Sequence, residues 1–242
     1  MQAIKEFFFK KQKPFDKYFF WIVILIAGMG LLFFVSASLG ILARSEDKFY
    51  GVLFNQIIFG FVGGLIALWL CARIPYVFWR RYAFYLFLGA LALTVSVFIP
   101  GFGFEHGGAR RWISVGSVSL QPAEVLKIAF VIYFSAWLAW TRKRQEDVKF
   151  RILPLVIMLG IVALALLRQP DTKSLILITA AACGMLFTSG VSWKKVIALI
   201  LFGMMAITAL AFIRPYVMER IKTFINPAID PRGASYQLQQ SL

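Results

Sequence analysis

Charge is scarce in this sequence, and acid is scarcer than base. Only 15% of the 242 residues are Asp, Glu, Lys or Arg, where a soluble domain carries about 25%. Acidic residues number 11 against 26 lysines and arginines. Histidine occurs once, at His106, and cysteine twice, at Cys71 and Cys183. Such isolated groups give neither metal-ligand spacing nor a disulfide framework. Whole stretches lack any charge: Tyr18–Ala43, Val52–Ala72, Tyr82–Phe104, Ile152–Leu167, Ser174–Trp193 and Val196–Ile213. A soluble globular domain is therefore excluded.

What is present is apolar. Hydrophobic residues make up 60% of the chain, and the mean hydropathy is +0.78. Pro122–Thr141 joins the uncharged stretches, interrupted only by Glu124 and Lys127. A helix crosses the hydrocarbon core with about 20 residues, so the pattern predicts an all-α polytopic membrane protein with seven transmembrane helices. Ile152–Leu167 is short, and Arg151 and Arg168 are placed to snorkel from its ends. Tyr18–Ala43 ends near "SAS", as a cleaved leader would, but it is too long for a leader's apolar region of about 7–15 residues. It reads as a retained anchor.

The net charge of +15 is a matter of topology. With the N-terminus cytoplasmic, segments 1–17, 72–82, 141–151 and 189–195 face inward and carry 15 lysines and arginines in 46 residues. The outward segments 44–51, 105–121, 168–173 and 214–242 carry 10 in 60. Cytoplasmic loops are enriched in these residues, so an N-in orientation is expected, with attraction to anionic headgroups and no nucleic-acid role. Three regions follow: a basic arm at 1–17, a seven-helix bundle over 18–213, and an extracytoplasmic segment over 214–242. The polar ending "QLQQSL" closes nothing off, and a truncated chain is expected.

Four polar places stand out. Glu124 and Lys127 are three apart and share a helix face. Gln121 and Pro122 open that helix on its outer side, so the pair lies one or two turns below the surface. It reads either as a structural ion pair or as the wall of a polar cavity. Arg110 and Arg111 follow Gly107 and Gly108 in the loop before it. They are either solvated charges beside an interfacial Trp112, or a clamp for an anion such as phosphate. Asp230 sits in "NPAIDPRG", as a turn former or as a carboxylate base. Asp171 in "RQPDTKS" reads as a helix cap, and His106 as a solvated bystander.

These pieces are collinear with motifs of a known family. "GLLFFVSAS", "GGARRWISVG", "QPAEVLKI", "RQPD" and "PYVMERIKTFINPAIDPRGASYQLQQSL" resemble, in order, the motifs of the FtsW/RodA (SEDS) family. Departures occur at Gly107, Ala123, Lys173 and Ser235, where the family pattern has Asn, Ser, Gly and Gly. The tail is closer to the division branch than to the elongation branch. The resemblance implies a fold of about ten helices, of which seven are present. It implies a glycosyltransferase of the bacterial cytoplasmic membrane that polymerises lipid II into peptidoglycan, with a class B penicillin-binding transpeptidase and other division proteins as partners. It places the essential aspartate on Asp230 and the cavity pair on Glu124 and Lys127. Arg110, Arg111 and Gln121 become candidate substrate contacts. No metal cage is spelled out, and a divalent cation bridging the diphosphate is the one cofactor the chemistry admits. The rival readings are a lipid II flippase, which wants its charges near the midplane, and a non-catalytic scaffold for the transpeptidase.

Overall fold

The computed structural model describes residues 16–42, 46–106, 109–115, 118–143, 149–213 and 218. Among them are seven continuous helical rods. The first is α1 (Lys17–Leu42). The second is continuous from residue 46 to 73 but changes pitch: α2 (Glu46–Asn55) passes into a π-helical segment (Gln56–Val62) and then into α3 (Gly63–Arg73). The others are α4 (Tyr76–Ser96), α5 (Pro122–Lys143), α6 (Lys149–Arg168), α7 (Thr172–Thr188) and α8 (Trp193–Ile213). Apart from residues 16, 17 and 218, the basic arm and the tail from 214 lie outside the described residues.

Two of the expected spans end early. The stretch 82–104 does not remain helical, because α4 stops at Ser96 and residues 103–106 form a strand. The cause is local. Pro100 lies in the intervening turn, and Gly101 holds φ at +87°, a conformation that L side chains resist. The stretch 174–193 also stops short, at Thr188. Gly190 adopts φ +85°, and the Val191 N–H donates to the Leu186 carbonyl, a glycine-dependent helix stop.

A small sheet stands where only a glycine-rich loop was expected. Strands β1 (Gly103–His106), β2 (Ala109–Val115) and β3 (Val118–Leu120) lie in the order β1-β2-β3. β1 and β2 are antiparallel, with Phe104 opposite Trp112, Glu105 opposite Arg110, and a bulge between Phe104 and Glu105.

The chain divides into two units. The first holds the described residues up to Tyr82 together with Ser114–Leu120. In it α1 packs on α2 and touches the π-helical segment. Almost none of the apolar windows in Lys17–Gly40 and Phe49–Arg73 is buried. The α3 end is marked by the Arg73 guanidinium, 4.3 Å from the Trp69 ring centroid, a cation–π contact.

The second unit, Ala83–Ile113 and the described residues from Gln121, contains the main core. α5 is central, packed on α6 and α7, with α8 against α7. Its Ala123, Leu126, Phe130 and Phe134 are fully buried. Phe87 of α4 stacks on Tyr133 at 5.3 Å and meets Phe130 edge-on, arrangements that aromatic quadrupoles favour. Lipid tails are as apolar as these side chains, so close packing rather than water exclusion holds such helices together.

Lys17–Gly40, Phe49–Arg73 and Pro122–Arg142 are each long and apolar enough to cross a membrane, and Ile152–Arg168 and Thr172–Thr188 are shorter apolar helices. At 1.5 Å per residue, 17 residues reach about 26 Å against a hydrocarbon core of about 30 Å, so the shorter pair fits with modest thinning or snorkelling. The chain is a multi-pass membrane protein.

Candidate functional site

α5 begins where Pro122, buried and without an N–H to lose, takes the first helical position. The Glu124 N–H donates to the Gln121 carbonyl at 3.0 Å, closing the first turn. Ala123 and Leu126 turn into the core; Lys127 borders that buried face, and Glu124 lies further round the helix, towards the exposed side. Lys127 Nζ lies 2.7 Å from Glu124 Oε1, with the glutamate side chain 57% exposed and the lysine 24%. Glu124 in the first turn also faces the positive end of the helix dipole. Such a pair in water contributes about 0–1 kcal/mol. An unpaired lysine at mid-membrane costs about 2.5–3.5 kcal/mol on insertion scales. The short contact therefore matters most for carrying a cation into the bundle.

Directly before α5, Gln121 is engaged. Its Nε2 donates to Asp171 Oδ2 at 3.2 Å. The other oxygen, Asp171 Oδ1, accepts from the Ser174 N–H at 3.3 Å and caps α7, as read from the sequence. Asp171 and Ser174 are both buried.

Arg111 reaches the same turn. Its Nε donates to the Gln169 carbonyl at 2.8 Å, and a terminal guanidinium nitrogen donates to the Pro170 carbonyl at 2.7 Å. A guanidinium fork matches two adjacent acceptors better than an ammonium does. The bulge falls at Arg111, between Trp112 and Arg110 on β2, and Arg110 is exposed and opposite Glu105 in register.

Sequence reasoning passed over Gln169. It is 1% exposed, and its Nε2 donates to the Thr94 carbonyl at 2.5 Å. Thr94 is itself fully buried, with its hydroxyl donating to the Ala90 carbonyl at 2.8 Å. Gln169 Oε1 has no partner among the described residues. A signal was available: a glutamine, a proline and an aspartate in a very short turn between apolar helices have little water to bond and must find protein partners.

The structure thus places Glu124 with Lys127, and Gln121 and Arg111 with the turn at 169–171. Asp230 lies outside the described residues. Of His106 only the β1 backbone is described. Cys71 is exposed and Cys183 buried, both as free thiols. Among the described residues no three His, Cys, Asp or Glu side chains converge as metal ligands would.

The sequence is similar to those of known proteins. The "Probable peptidoglycan glycosyltransferase FtsW" of Alteromonas naphthalenivorans is 33% identical over 233 residues, 96% of this chain and 44% of its own length. The protein of the same name from Coxiella burnetii is 34% identical over 230 residues, 92% of this chain and 60% of its own. The chain thus spans about half the length of the curated relatives it matches. Among solved structures, a chain of a peptidoglycan synthase complex aligns with a TM-score of 0.64 at 24% identity, over 88% of this chain and 63% of that one. The rod shape determining protein RodA of Thermus thermophilus aligns with a TM-score of 0.57 at 23% identity, over 75% and 58%. The fold is theirs. The family model described as "Cell cycle protein" matches residues 16–242. By that match across the bundle and the tail, the chain belongs to the FtsW/RodA/SpoVE family of cell cycle proteins.

Proposed function

We propose that this chain, which spans about half the length of its curated relatives, works as a peptidoglycan glycosyltransferase. It would polymerise lipid II at the outer face of the bacterial cytoplasmic membrane, during division. The family, the names of the relatives and the pairing of Lys127 with Glu124 support this reading. The pair is the observation that carries it: a cation is held in place by its own counter-ion, 2.7 Å away, within two turns of the α5 start. A cation so held is suited to meet the diphosphate of a lipid carrier.

The reaction joins a sugar hydroxyl to an anomeric carbon whose leaving group is a lipid diphosphate. The hydroxyl needs a base, and a positioned carboxylate supplies one. Asp230 is assigned that role. Charge then gathers on the departing diphosphate, where cationic donors aimed at the site lower the barrier. Lys127 and Arg110 are assigned there. Glu124 orients Lys127 without neutralising the site entirely, since the ammonium keeps two further donors. Arg111 spends two donors on carbonyls, and Gln121 spends its amide on Asp171. Both then shape the site, with Arg111 keeping its remaining N–H groups for an anion. Diphosphate oxygens also bind hard divalent cations, and chelation of Mg²⁺ tests that contribution.

A transpeptidase of the class B penicillin-binding type is the proposed partner. The solved complex that shares this fold is described as coordinating polymerization and crosslinking.

The test is glycan synthesis from purified lipid II by the full gene product in detergent or vesicles. Asp230→Ala should abolish polymer formation at unchanged protein level. Lys127→Met should lower turnover by about 10²–10³-fold, as loss of a charge-stabilising donor does elsewhere. Polymer made by the Asp230→Ala protein would sink the base assignment. Lipid II crossing the bilayer without polymerisation would favour transport instead.

A further inference from the structure

Six residues from four places in the second unit meet in one hydrogen-bonded knot. Thr94 comes from the end of α4, Arg111 from β2 and Gln121 from the start of α5. Gln169, Asp171 and Ser174 come from the α6–α7 turn and the first turn of α7. Thr94, Gln169, Asp171 and Ser174 are all buried. Apart from the N–H groups that Arg111 keeps for an anion, the proposed chemistry consumes none of these groups. What they touch is the start of α5, the helix that carries Glu124 and Lys127.

From this we infer that Asp171 and Gln121 are positioning residues, and that their hydrogen bond sets the depth of the first two turns of α5 along the helix axis and thereby aims Lys127. The inference rests on the glycosyltransferase reading for its consequence, though not for its geometry.

Gln121 is coupled to the pair at both ends of its own residue. Its carbonyl accepts from the Glu124 N–H at 3.0 Å, and its side chain is tied to Asp171. At 1.5 Å of rise per residue, Glu124 lies about 4.5 Å and Lys127 about 9 Å along the axis from that anchor. Packing of Ala123 and Leu126 fixes which face is inward. It resists sliding along the axis far less, because apolar surfaces have no directional contact. A hydrogen bond to a carboxylate has one. Asp171 is in turn immobile: one oxygen caps α7, its N–H donates to the Leu166 carbonyl at 2.9 Å, and Arg111 holds the two residues before it.

The bond can be broken and remade with opposite polarity. Gln121→Glu sets two carboxylates against each other, and assays at alkaline pH keep a shared proton from standing in for the lost donor. Asp171→Asn alone keeps an oxygen for the Ser174 N–H, and Gln121 turns its own amide to meet the new NH₂. In the double variant the introduced amide donates to the introduced carboxylate, and the cap survives.

The experiment uses the full gene product with lipid II, and follows turnover and KM separately. A displaced cation at the reacting centre costs about a hundredfold. Gln121→Glu should therefore lose about that much in kcat, with KM within about twofold, the signature of an interaction felt in the transition state alone. Asp171→Asn should stay near the parent, and the double variant should recover most of the loss. A second readout needs no activity. Val125→Cys, made with Cys71→Ser and Cys183→Ala, is labelled by a membrane-impermeant maleimide. Gln121→Glu should change that labelling rate and Asp171→Asn should restore it. Parental kcat and labelling in Gln121→Glu, or a loss that Asp171→Asn does not rescue, overturn the inference. If the parent makes no glycan, the glycosyltransferase reading fails, and the labelling arm alone decides the brace.

Discussion

At Gly103 the chain folds back so closely on Val97 that a methyl group on the α-carbon would collide with the Val97 carbonyl. Backbone cannot swing aside as a side chain can, so Gly103→Ala should destabilise by about 1–3 kcal/mol, read as a lower thermal midpoint in detergent. Arg111 makes a different kind of contact. Arg111→Lys keeps the charge but has no fork to span the Gln169 and Pro170 carbonyls together. A loss of about 1.5–3 kcal/mol is expected, the size of a charged hydrogen bond. Gln169→Met removes the donor to Thr94 and leaves that carbonyl buried, at a cost of about 1–3 kcal/mol. The same change also removes Oε1, an acceptor that lacks a partner among the described residues, so the lower half of that range is expected.

At the scale of elements, hydropathy placed all seven rods because lipid imposes a length and a composition on every span. It misplaced ends because ends depend on backbone geometry that hydropathy does not measure. "FIPGFG" is as greasy as a helix, yet Gly101 and Gly103 turn it into a corner and a strand. Gly101→Ala should weaken that corner, since φ +87° suits only glycine. The α4 end should then fray, visible as faster amide exchange at Val97–Phe102. The change of pitch at Gln56–Val62 was equally silent in the sequence. The 2.7 Å contact of Glu124 with Lys127 came from the structure, but that the two share a helix face was legible from spacing alone. The bonds at 169–171 were not, because the partners Arg111 and Gln169 are separated by 58 positions. No local pattern encodes that meeting.

For the whole molecule, the distribution of lysine and arginine predicts an orientation that chemistry can read. In intact cells, with the outer membrane permeabilised where there is one, a cysteine at Ser119 should react with an impermeant reagent. A cysteine at Ser192 should react only after the inner membrane is opened. The reverse pattern would put Lys127 toward the cytoplasm and remove it from any outer-face reaction. Stability should also be uneven across the chain. In the second unit α5 carries five fully buried side chains, while the helices of the first unit bury little of their apolar length. Opening of the first unit at lower denaturant than the second is the expected order.

The grip of Arg111 has a consequence for how such proteins diverge. It holds peptide oxygens, which every amino acid supplies, and its two hydrogen bonds ask nothing of the side chains of the residues it clamps. Mutation at either clamped site leaves its handhold in place. Arg111 should therefore show little covariation with the residues it holds, whereas Gln121 and Asp171, which meet through their side chains, should change together or not at all as lineages separate.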